Sequence, residues 1–297
     1  MSDVRILATG FGFPEGPVAM PDGSVILTEI RNNRCSRVAP DGKVSLFSAT
    51  GGGPNGFAVG PDGALYLCNN GGSRYVEGNS MGVAPHPDYK HGFVQRLDRA
   101  SGKMTELYTA CDGHKLSAPN DLVFDNEGGF YFTDLGKRYA RQRDHGGIYY
   151  AKPDGSSIKC LVHPFLSPNG CGLSPDGKII VFEAGSGGGL TADRWNREGG
   201  TYMVPSGGGK PRLVERGGGN PQFGASSDRL FTVAQSDSKL QLVSTDMGGQ
   251  QRRVHASGDM TSEFVVSPDG RALAFRQNYE AWLMPLMPGA QDVGAGA

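Results

Sequence analysis

Polar residues recur at one position of a repeated sequence pattern, where their side chains could supply oxygen atoms to a common site. Most stand seven residues before an acidic turn residue, and the fifth stands eight before it. The six are Glu15, Asn55, Asn120, Asn169, Asn220 and Ser262. A buried acid such as Glu15 is costly unless it is paired or bound to a metal, whereas an asparagine can instead cap a turn through its amide. The pattern therefore singles out Glu15 and leaves both interpretations open for each asparagine.

A second series of polar residues closes the next strand of each repeat. It lies six residues after the turn glycine, although the register of the fifth repeat is open. Its members are Glu29, Asn69, Asp134, Glu183, Gln235 and Arg276. In a hairpin the start of the first strand lies beside the end of the second, so both series belong to one face. We expect two rings of polar side chains around a central well.

Six repeats must position these residues. They start at Pro14, Pro54, Pro119, Pro168, Asn220 and Thr261. Asp-Gly turns join short runs such as VILT and FYFT, which are rich in strand formers and too short for helices. The acidic turn positions are 40 to 65 residues apart, close to the size of a propeller blade. The sequence predicts an all-β fold, a six-bladed β-propeller that forms one domain over residues 1–297, with Val4 to Leu7 closing the last blade.

Three long connections are expected on the same face as the polar rings. They cover residues 70–92, 135–147 and 184–200. Connections longer than about 12 to 15 residues are usually functional or mobile, so we interpret them as walls of a substrate pocket. The residues assigned to substrate binding are Asn55, Asn69, Glu29, Arg138, His145 and Arg276. His86 and His91 are interpreted as solvated loop residues rather than ligands.

Composition excludes several partners. With 29 basic and 30 acidic residues in 297, the chain lacks the basic excess of a nucleic-acid-binding domain. No apolar run is long enough for a membrane helix, and the first ten residues do not resemble a secretory signal. The five cysteines are scattered and odd in number, which is typical of reduced thiols. We therefore expect a cytoplasmic protein that acts on a small molecule, without nucleic acid or membrane; the oligomeric state is left open.

Several motifs together resemble the senescence marker protein/gluconolactonase family. They are the FPEGP opening, the PND motif at Pro119 and the PNGxxxSPDG motif at Pro168. The resemblance covers essentially the whole chain and implies a propeller similar to lactonases and calcium-dependent organophosphate hydrolases. It also implies a divalent cation held by a glutamate, two asparagines and an aspartate. Glu15, Asn120 and Asn169 match the first three of these positions.

The fourth position departs from the family pattern. Where the family usually has an aspartate, which is a ligand and takes part in proton transfer, this chain has Asn220. Its amide offers an oxygen but neither charge nor basicity. One carboxylate and three amides suit a hard cation, so Ca²⁺ is the first choice, with Mg²⁺, Mn²⁺, Zn²⁺ or Fe²⁺ as alternatives.

The function expected from this resemblance is metal-dependent hydrolysis of a sugar-derived or aromatic lactone. The catalytic assignments are Asp134 and Glu183 as the bases that replace the missing aspartate, together with Asn220 at its position. Two alternatives stay open. A lyase, isomerase or cyclase would use the same cation on another reaction, and a non-enzymatic propeller would serve as a binding module.

Overall fold

The structure is a computed structural model that describes residues 6–77, 82–185, 199–236, 239–258, 262–267, 269–277 and 280–286. Every regular element among these residues is a β-strand, which confirms the predicted all-β class. The described residues contain no helix that is long and apolar enough to cross a membrane. The chain divides into two compact units, Met1–Gly170 and Cys171–Ala297, called below the first and the second unit.

The described residues of the first unit form three four-stranded antiparallel sheets and two short hairpins. The first sheet runs in the order β1 (Pro14–Ala19), β2 (Val25–Glu29), β3 (Arg34–Val38) and β4 (Val44–Ala49). The second sheet pairs β5 (Pro54–Val59), β6 (Leu65–Asn69), β9 (Phe93–Leu97) and β10 (Met104–Tyr108), and the hairpin β7 (Ser73–Arg74) and β8 (Ala84–Pro85) lies in its long connection. After the hairpin β11 (Ala110–Cys111) and β12 (His114–Lys115) comes the third sheet, β13 (Pro119–Phe124), β14 (Phe130–Asp134), β15 (Gly146–Ala151) and β16 (Ile158–Phe165).

The following strands form three further sheets. The first of these runs β17 (Pro168–Leu173), β18 (Ile179–Ala184), β19 (Gly200–Pro205) and β20 (Arg212–Arg216), and β17 begins before the boundary of the second unit. The next consists of β21 (Gly219–Phe223), β22 (Arg229–Ser236), β23 (Lys239–Asp246) and β24 (Arg253–Gly258). The last described sheet has three strands, β25 (Ser262–Val266), β26 (Ala272–Gln277) and β27 (Glu280–Pro285).

The Asp-Gly turns fold as the sequence predicts. In the first, Ser24 donates its backbone N–H to Asp22 Oδ1 at 3.0 Å, and Gly23 adopts a φ of 78°. In the second, Ala64 donates to Asp62 Oδ1 at 3.1 Å. Such an aspartate replaces a backbone acceptor in the turn, and glycine adopts positive φ without steric cost. The turns therefore fix the register in which the polar residues recur.

The core of the first unit lies between its sheets. Tyr66, Phe130 and Phe132 belong to one cluster of buried side chains from the second and third sheets. The predicted closing strand is not tested, because Val4 and Arg5 lie outside the described residues, and the described residues Ile6 and Leu7 belong to no strand. The number of blades and the single domain over residues 1–297 stay predictions.

Candidate metal and substrate site

Three polar residues of the first series, Glu15, Asn55 and Asn120, each stand in a β-bulge at the start of their sheet. In the first unit the bulges fall between Glu15 and Val18 in β1, between Pro54 and Phe57 in β5, and between Pro119 and Leu122 in β13. A bulge bends the strand and redirects a side chain, and bulges are common beside active sites. The repeated sequence motif thus encodes a local irregularity as well as a strand.

The strands β1 and β5 lie side by side at these bulges. The Thr28 hydroxyl lies 3.0 Å from the carbonyl oxygen of Glu15 and 2.7 Å from that of Asn55, within donating distance of both. Gly16 packs so closely on β5 that an added Cβ would lie 3.2 Å from the Asn55 carbonyl oxygen. Glu15 and Asn55 therefore occupy neighbouring positions on adjacent strands.

The same adjacency continues from β5 to β13 and β17. Gly56 faces β13, where a Cβ would overlap the carboxylate of Asp121 and lie 3.0 Å from the Asn120 carbonyl oxygen. The side-chain Oδ1 of Asn120 accepts a hydrogen bond from the Gly170 N–H at 3.0 Å, next to Asn169. The polar residues of the first unit therefore stand on successive neighbouring strands. These residues are Glu15, Asn55, Asn120 and Asn169.

The Glu15 carboxylate is poorly satisfied. Its side chain is half-buried, and the hydrogen bond it accepts is a long one of 3.4 Å from the N–H of Gly16. None of the ion pairs within the described part of the chain includes it. Burial raises the pKa of Glu15, and the Gly16 N–H only partly opposes this. A buried carboxylate in this state gains most from a positive charge placed beside it.

The residues of the first unit fit a hard divalent cation. One carboxylate and amide oxygens on neighbouring strands are the donor types that Ca²⁺ and Mg²⁺ select. The described residues contain no cluster of three or more His, Cys, Asp or Glu side chains suited to a metal. An amide-rich set with Glu15 as its acid differs from such a cluster and from the thiolate and imidazole sites typical of zinc.

In the second series, Asp134 and Asn69 are saturated by neighbouring backbone. Asp134 accepts the backbone N–H groups of Ser117 and Ala118, each at 2.7 Å, and of Gly136 at 2.9 Å. Asn69 is fully buried and bonds three nearby glycines and Gln95. Burial raises the pKa of Asp134, while its three N–H partners act in the opposite direction. These contacts give both residues a structural role at the ends of their strands.

Glu29 is buried in a similar network. Its carboxylate accepts hydrogen bonds from the Gly12 N–H at 2.8 Å, from Arg34 Nε at 2.7 Å and from the side chains of Asn32 and Ser36. Burial alone would raise its pKa, but these four donors outweigh burial and lower the pKa to about 2. With its oxygens engaged in this way, Glu29 stabilises the first sheet. Its assignment to substrate binding stays a prediction.

Replacing Glu29 with glutamine should destabilise the protein at neutral pH. A carboxyl whose pKa falls from 4.5 to about 2 stabilises the fold above pH 4.5, and this stabilisation is lost as the pH falls through 2. The shift corresponds to about 3 kcal/mol, the expected loss at pH 7. Thermal unfolding should show a clearly smaller difference between the two proteins at pH 3 than at pH 7, because part of the stabilisation persists until the pH falls through 2. Glu127→Gln, at an exposed turn, is the control; equal loss at both pH values would contradict the assignment.

Comparison with known proteins decides the family. A family model described as the SMP-30/gluconolactonase/LRE-like region matches residues 13–201, well over half of the chain. The chain belongs to the SMP-30/gluconolactonase/LRE-like family. The matched residues include Glu15, Asn120 and Asn169, whereas Asn220 lies beyond them.

Curated relatives of this family member carry lactonase names. Gluconolactonase of Zymomonas mobilis is 26% identical over 195 residues, which cover 58% of this chain and 49% of that protein. Lactonase drp35 of Staphylococcus saprophyticus is 31% identical over 160 residues, covering 53% and 44%. The chain therefore spans about half the length of the curated relatives it matches.

A solved structure supports the fold. The calcium-binding protein regucalcin of Agrobacterium tumefaciens aligns with a TM-score of 0.55 at 18% identity, covering 90% of this chain and 82% of that one. At this identity the likeness concerns the fold, and it agrees with the predicted propeller type. Calcium binding, which the description of that structure states, is a property of regucalcin.

In the second unit, Asn220 and Glu183 are brought together. Glu183 accepts the backbone N–H of Asn220 at 3.1 Å, and Asn220 is exposed with a φ of 52°. Glu183 is half-buried, and burial raises its pKa while the Asn220 N–H opposes the shift. Gln235 lies beyond the bulge region of β21, because Gly219 pairs with Val233. Arg276 pairs with Ser262 in backbone register, and its side chain lies outside the described residues.

Two of the basic residues assigned to substrate binding, Arg138 and His145, are exposed. Arg138 forms an isolated antiparallel bridge with Arg143, and His145 lies in the same connection. Of the predicted pocket walls, residues 70–77, 82–92, 135–147, 184–185 and 199–200 are described, so most of the third wall lies outside the described residues. The binding roles of Arg138 and His145 stay predictions.

Two residues near the candidate site, Asp121 and Lys137, were not predicted from the sequence. Asp121 follows Asn120, and in a regular strand it would point to the opposite side. The bulge in β13 instead lays its carboxylate over Gly56. Lys137 is buried between two connections that the sequence does not place together. The PND motif offered a signal for Asp121, whereas no spacing rule points to Lys137.

Proposed function

We propose that the protein hydrolyses a lactone, using a divalent cation held by Glu15, Asn120 and Asn169. The observation that carries this proposal is the half-buried Glu15 carboxylate, which has no ion-pair partner among the described residues and stands on a strand beside the one that carries Asn55. Family membership and the names of the curated relatives support the reaction class. Ca²⁺ is the expected ion, because its coordination accepts six to eight oxygen ligands.

In this reaction water adds to the lactone carbonyl carbon, the ring C–O bond breaks, and a hydroxy acid leaves. A bound cation supplies Lewis-acid polarisation of that carbonyl. Glu15 provides the negative charge that holds the cation, and Asn120 and Asn169 provide neutral oxygens. Asn120 is already oriented, because its Oδ1 accepts the Gly170 N–H.

The proton of the attacking water requires a carboxylate acceptor. In the first unit Asp121 is better placed for this than Asp134, because it lies between β5 and β13, which carry Asn55 and Asn120. Asp134 already accepts three backbone N–H groups and is 2% exposed. Asp121 is therefore the acceptor that we propose. The roles of Asn220 as a fourth ligand and of Glu183 as a base stay predictions.

A panel of sugar-derived and aromatic lactones tests the proposal. The purified protein should open at least one lactone, lose activity after chelation, and regain it when Ca²⁺, Mg²⁺ or Mn²⁺ is restored. NMR should show the ring-opened hydroxy acid. A new carbon–carbon double bond instead would favour the lyase alternative. A protein that retains no metal and turns over no lactone would favour the binding module.

A further inference from the structure

A lysine is buried between two connections beside the candidate site. Lys137 is 6% exposed and belongs to the connection after β14. Its Nζ donates to Asn70 Oδ1 at 3.2 Å and to the Gly72 carbonyl at 2.9 Å, and it lies 4.9 Å from the centre of the Tyr89 ring. All three partners belong to the connection that follows β6. The ammonium group therefore joins one connection to the other.

Each of these connections leaves its sheet next to a residue of the candidate site. The Asn70 N–H donates to the Gly53 carbonyl at 2.9 Å, two residues before Asn55. The Leu135 N–H donates to the Ala118 carbonyl at 2.9 Å, two residues before Asn120. A displacement of either connection would consequently be transmitted to a strand that carries a polar residue of the site.

Further hydrogen bonds continue the junction around Lys137. Tyr89 donates its hydroxyl to the Ser117 carbonyl at 2.8 Å. The Ser117 hydroxyl donates to the Asp144 carboxylate, which also accepts the Tyr139 hydroxyl at 3.3 Å. The two connections and residues 117–118, which precede β13, are thus linked through buried or half-buried groups, with Lys137 Nζ at their centre.

Burial of the Lys137 side chain is energetically unfavourable, which argues for a specific role of this residue. Burial lowers its pKa to about 7, although the negative charges of Asp134 and Asp144 act in the opposite direction. Its ammonium is already occupied by two carbonyl-type acceptors and an aromatic face. It is therefore arranged to hold protein groups in place rather than to contact a substrate.

We propose that Lys137 is a positioning residue that fastens the connections after β6 and β14 into one rigid wall of the candidate site. The wall would be preformed before substrate arrives, so its loss should weaken substrate binding more than the chemical step. This inference rests on the proposed function for its kinetic readout. Its structural readout, the local opening of the two connections, is independent of that function.

Kinetics of variants at both ends of one hydrogen bond test the proposal. Lys137→Met and Asn70→Ala should each raise KM for the best lactone at least about tenfold and change kcat less than about threefold. Because both remove the same contact, the double variant should have a KM within about threefold of the worse single variant. Lys115→Met, at an exposed lysine of β12, is the matched control and should leave both parameters unchanged.

Hydrogen exchange supplies the second readout. In Lys137→Met and Asn70→Ala the amides of residues 70–77 and 135–147 should exchange at least about tenfold faster, while those of β6 and β14 keep their protection. If no lactone is hydrolysed by the unaltered protein, this measurement still tests the wall. Should Lys137→Met fail to fold, Asn70→Ala alone must show the same local opening. Unchanged exchange in the connections, or KM effects that multiply independently in the double variant, would overturn the proposal.

Discussion

Glutamine in place of Glu15 is expected to reduce the affinity for Ca²⁺ at least about a hundredfold and to abolish lactone hydrolysis. Substitution of groups that merely support metal ligands typically costs ten- to a hundredfold, and Glu15 is proposed to supply the charge of the site itself. Glutamine keeps the size of the side chain and one oxygen, so the loss reports on charge. Calorimetric titration of Ca²⁺ into the chelator-treated protein measures it.

The control for this variant is Glu106→Gln, which changes an exposed glutamate of β10 in the same unit. It should bind Ca²⁺ as the unaltered protein does. A second comparison uses stability, because burial raises the pKa of Glu15 and its ionised form is therefore a burden on the metal-free fold. Glu15→Gln should melt at an equal or higher temperature without metal and should lose the stabilisation by added Ca²⁺. A retained affinity would refute the assignment.

Asparagine in place of Asp134 should cost about 3 kcal/mol of folding free energy, because the buried Asp134 carboxyl group accepts three backbone hydrogen bonds. The amide can offer one oxygen in place of two, so its NH₂ group must face at least one of the N–H donors from Ser117, Ala118 or Gly136. Thermal or urea unfolding measures the loss. Asp154→Asn, at an exposed turn aspartate, should change stability by less than about 1 kcal/mol.

This second substitution also separates two roles for Asp134. The sequence suggests a catalytic base, whereas the contacts describe an anchor that holds the start of β13 to the end of β14. Loss of stability with kcat/KM retained within about tenfold in the folded fraction would support the anchor. Full stability combined with a decrease in kcat/KM of about 10²-fold or more would support the catalytic base. A decrease of this size is expected when general-base catalysis is removed.

The strands were predictable because their period and turns are local. Pro-Asp-Gly turns and runs of strand-forming residues recur at fixed spacing, and β2, β6 and β14 begin and end close to the predicted runs. The neighbouring positions of Glu15, Asn55 and Asn120 followed from register alone. The roles of the second series could not be predicted in this way, because a polar residue at a strand end gives no sign of whether backbone N–H groups already bond its side chain. Glu29 and Asn69 show this directly.

Bulges and long connections account for what the sequence could not reveal. Asp121 lies over Gly56 because an extra residue in β13 changes the alternation of side chains. Lys137 meets Asn70 across 67 positions of sequence, and no hairpin or spacing rule relates them. Such contacts depend on how two irregular connections pack, which is a tertiary property. Sequence motifs therefore predict which strands carry the proposed ligands, whereas the packing of Asp121 and Lys137 depends on tertiary contacts.

The most direct measurement is the anomalous diffraction signal of Mn²⁺ in crystals of the protein, since Mn²⁺ prefers the same oxygen donors as Ca²⁺ and Mg²⁺. We predict one strong peak at about 2.0 to 2.6 Å from a Glu15 carboxylate oxygen, with Asn120 and Asn169 in its coordination sphere. Saturating Mn²⁺ with no peak beside Glu15, or a peak held by other residues while Glu15 faces only water, would contradict it.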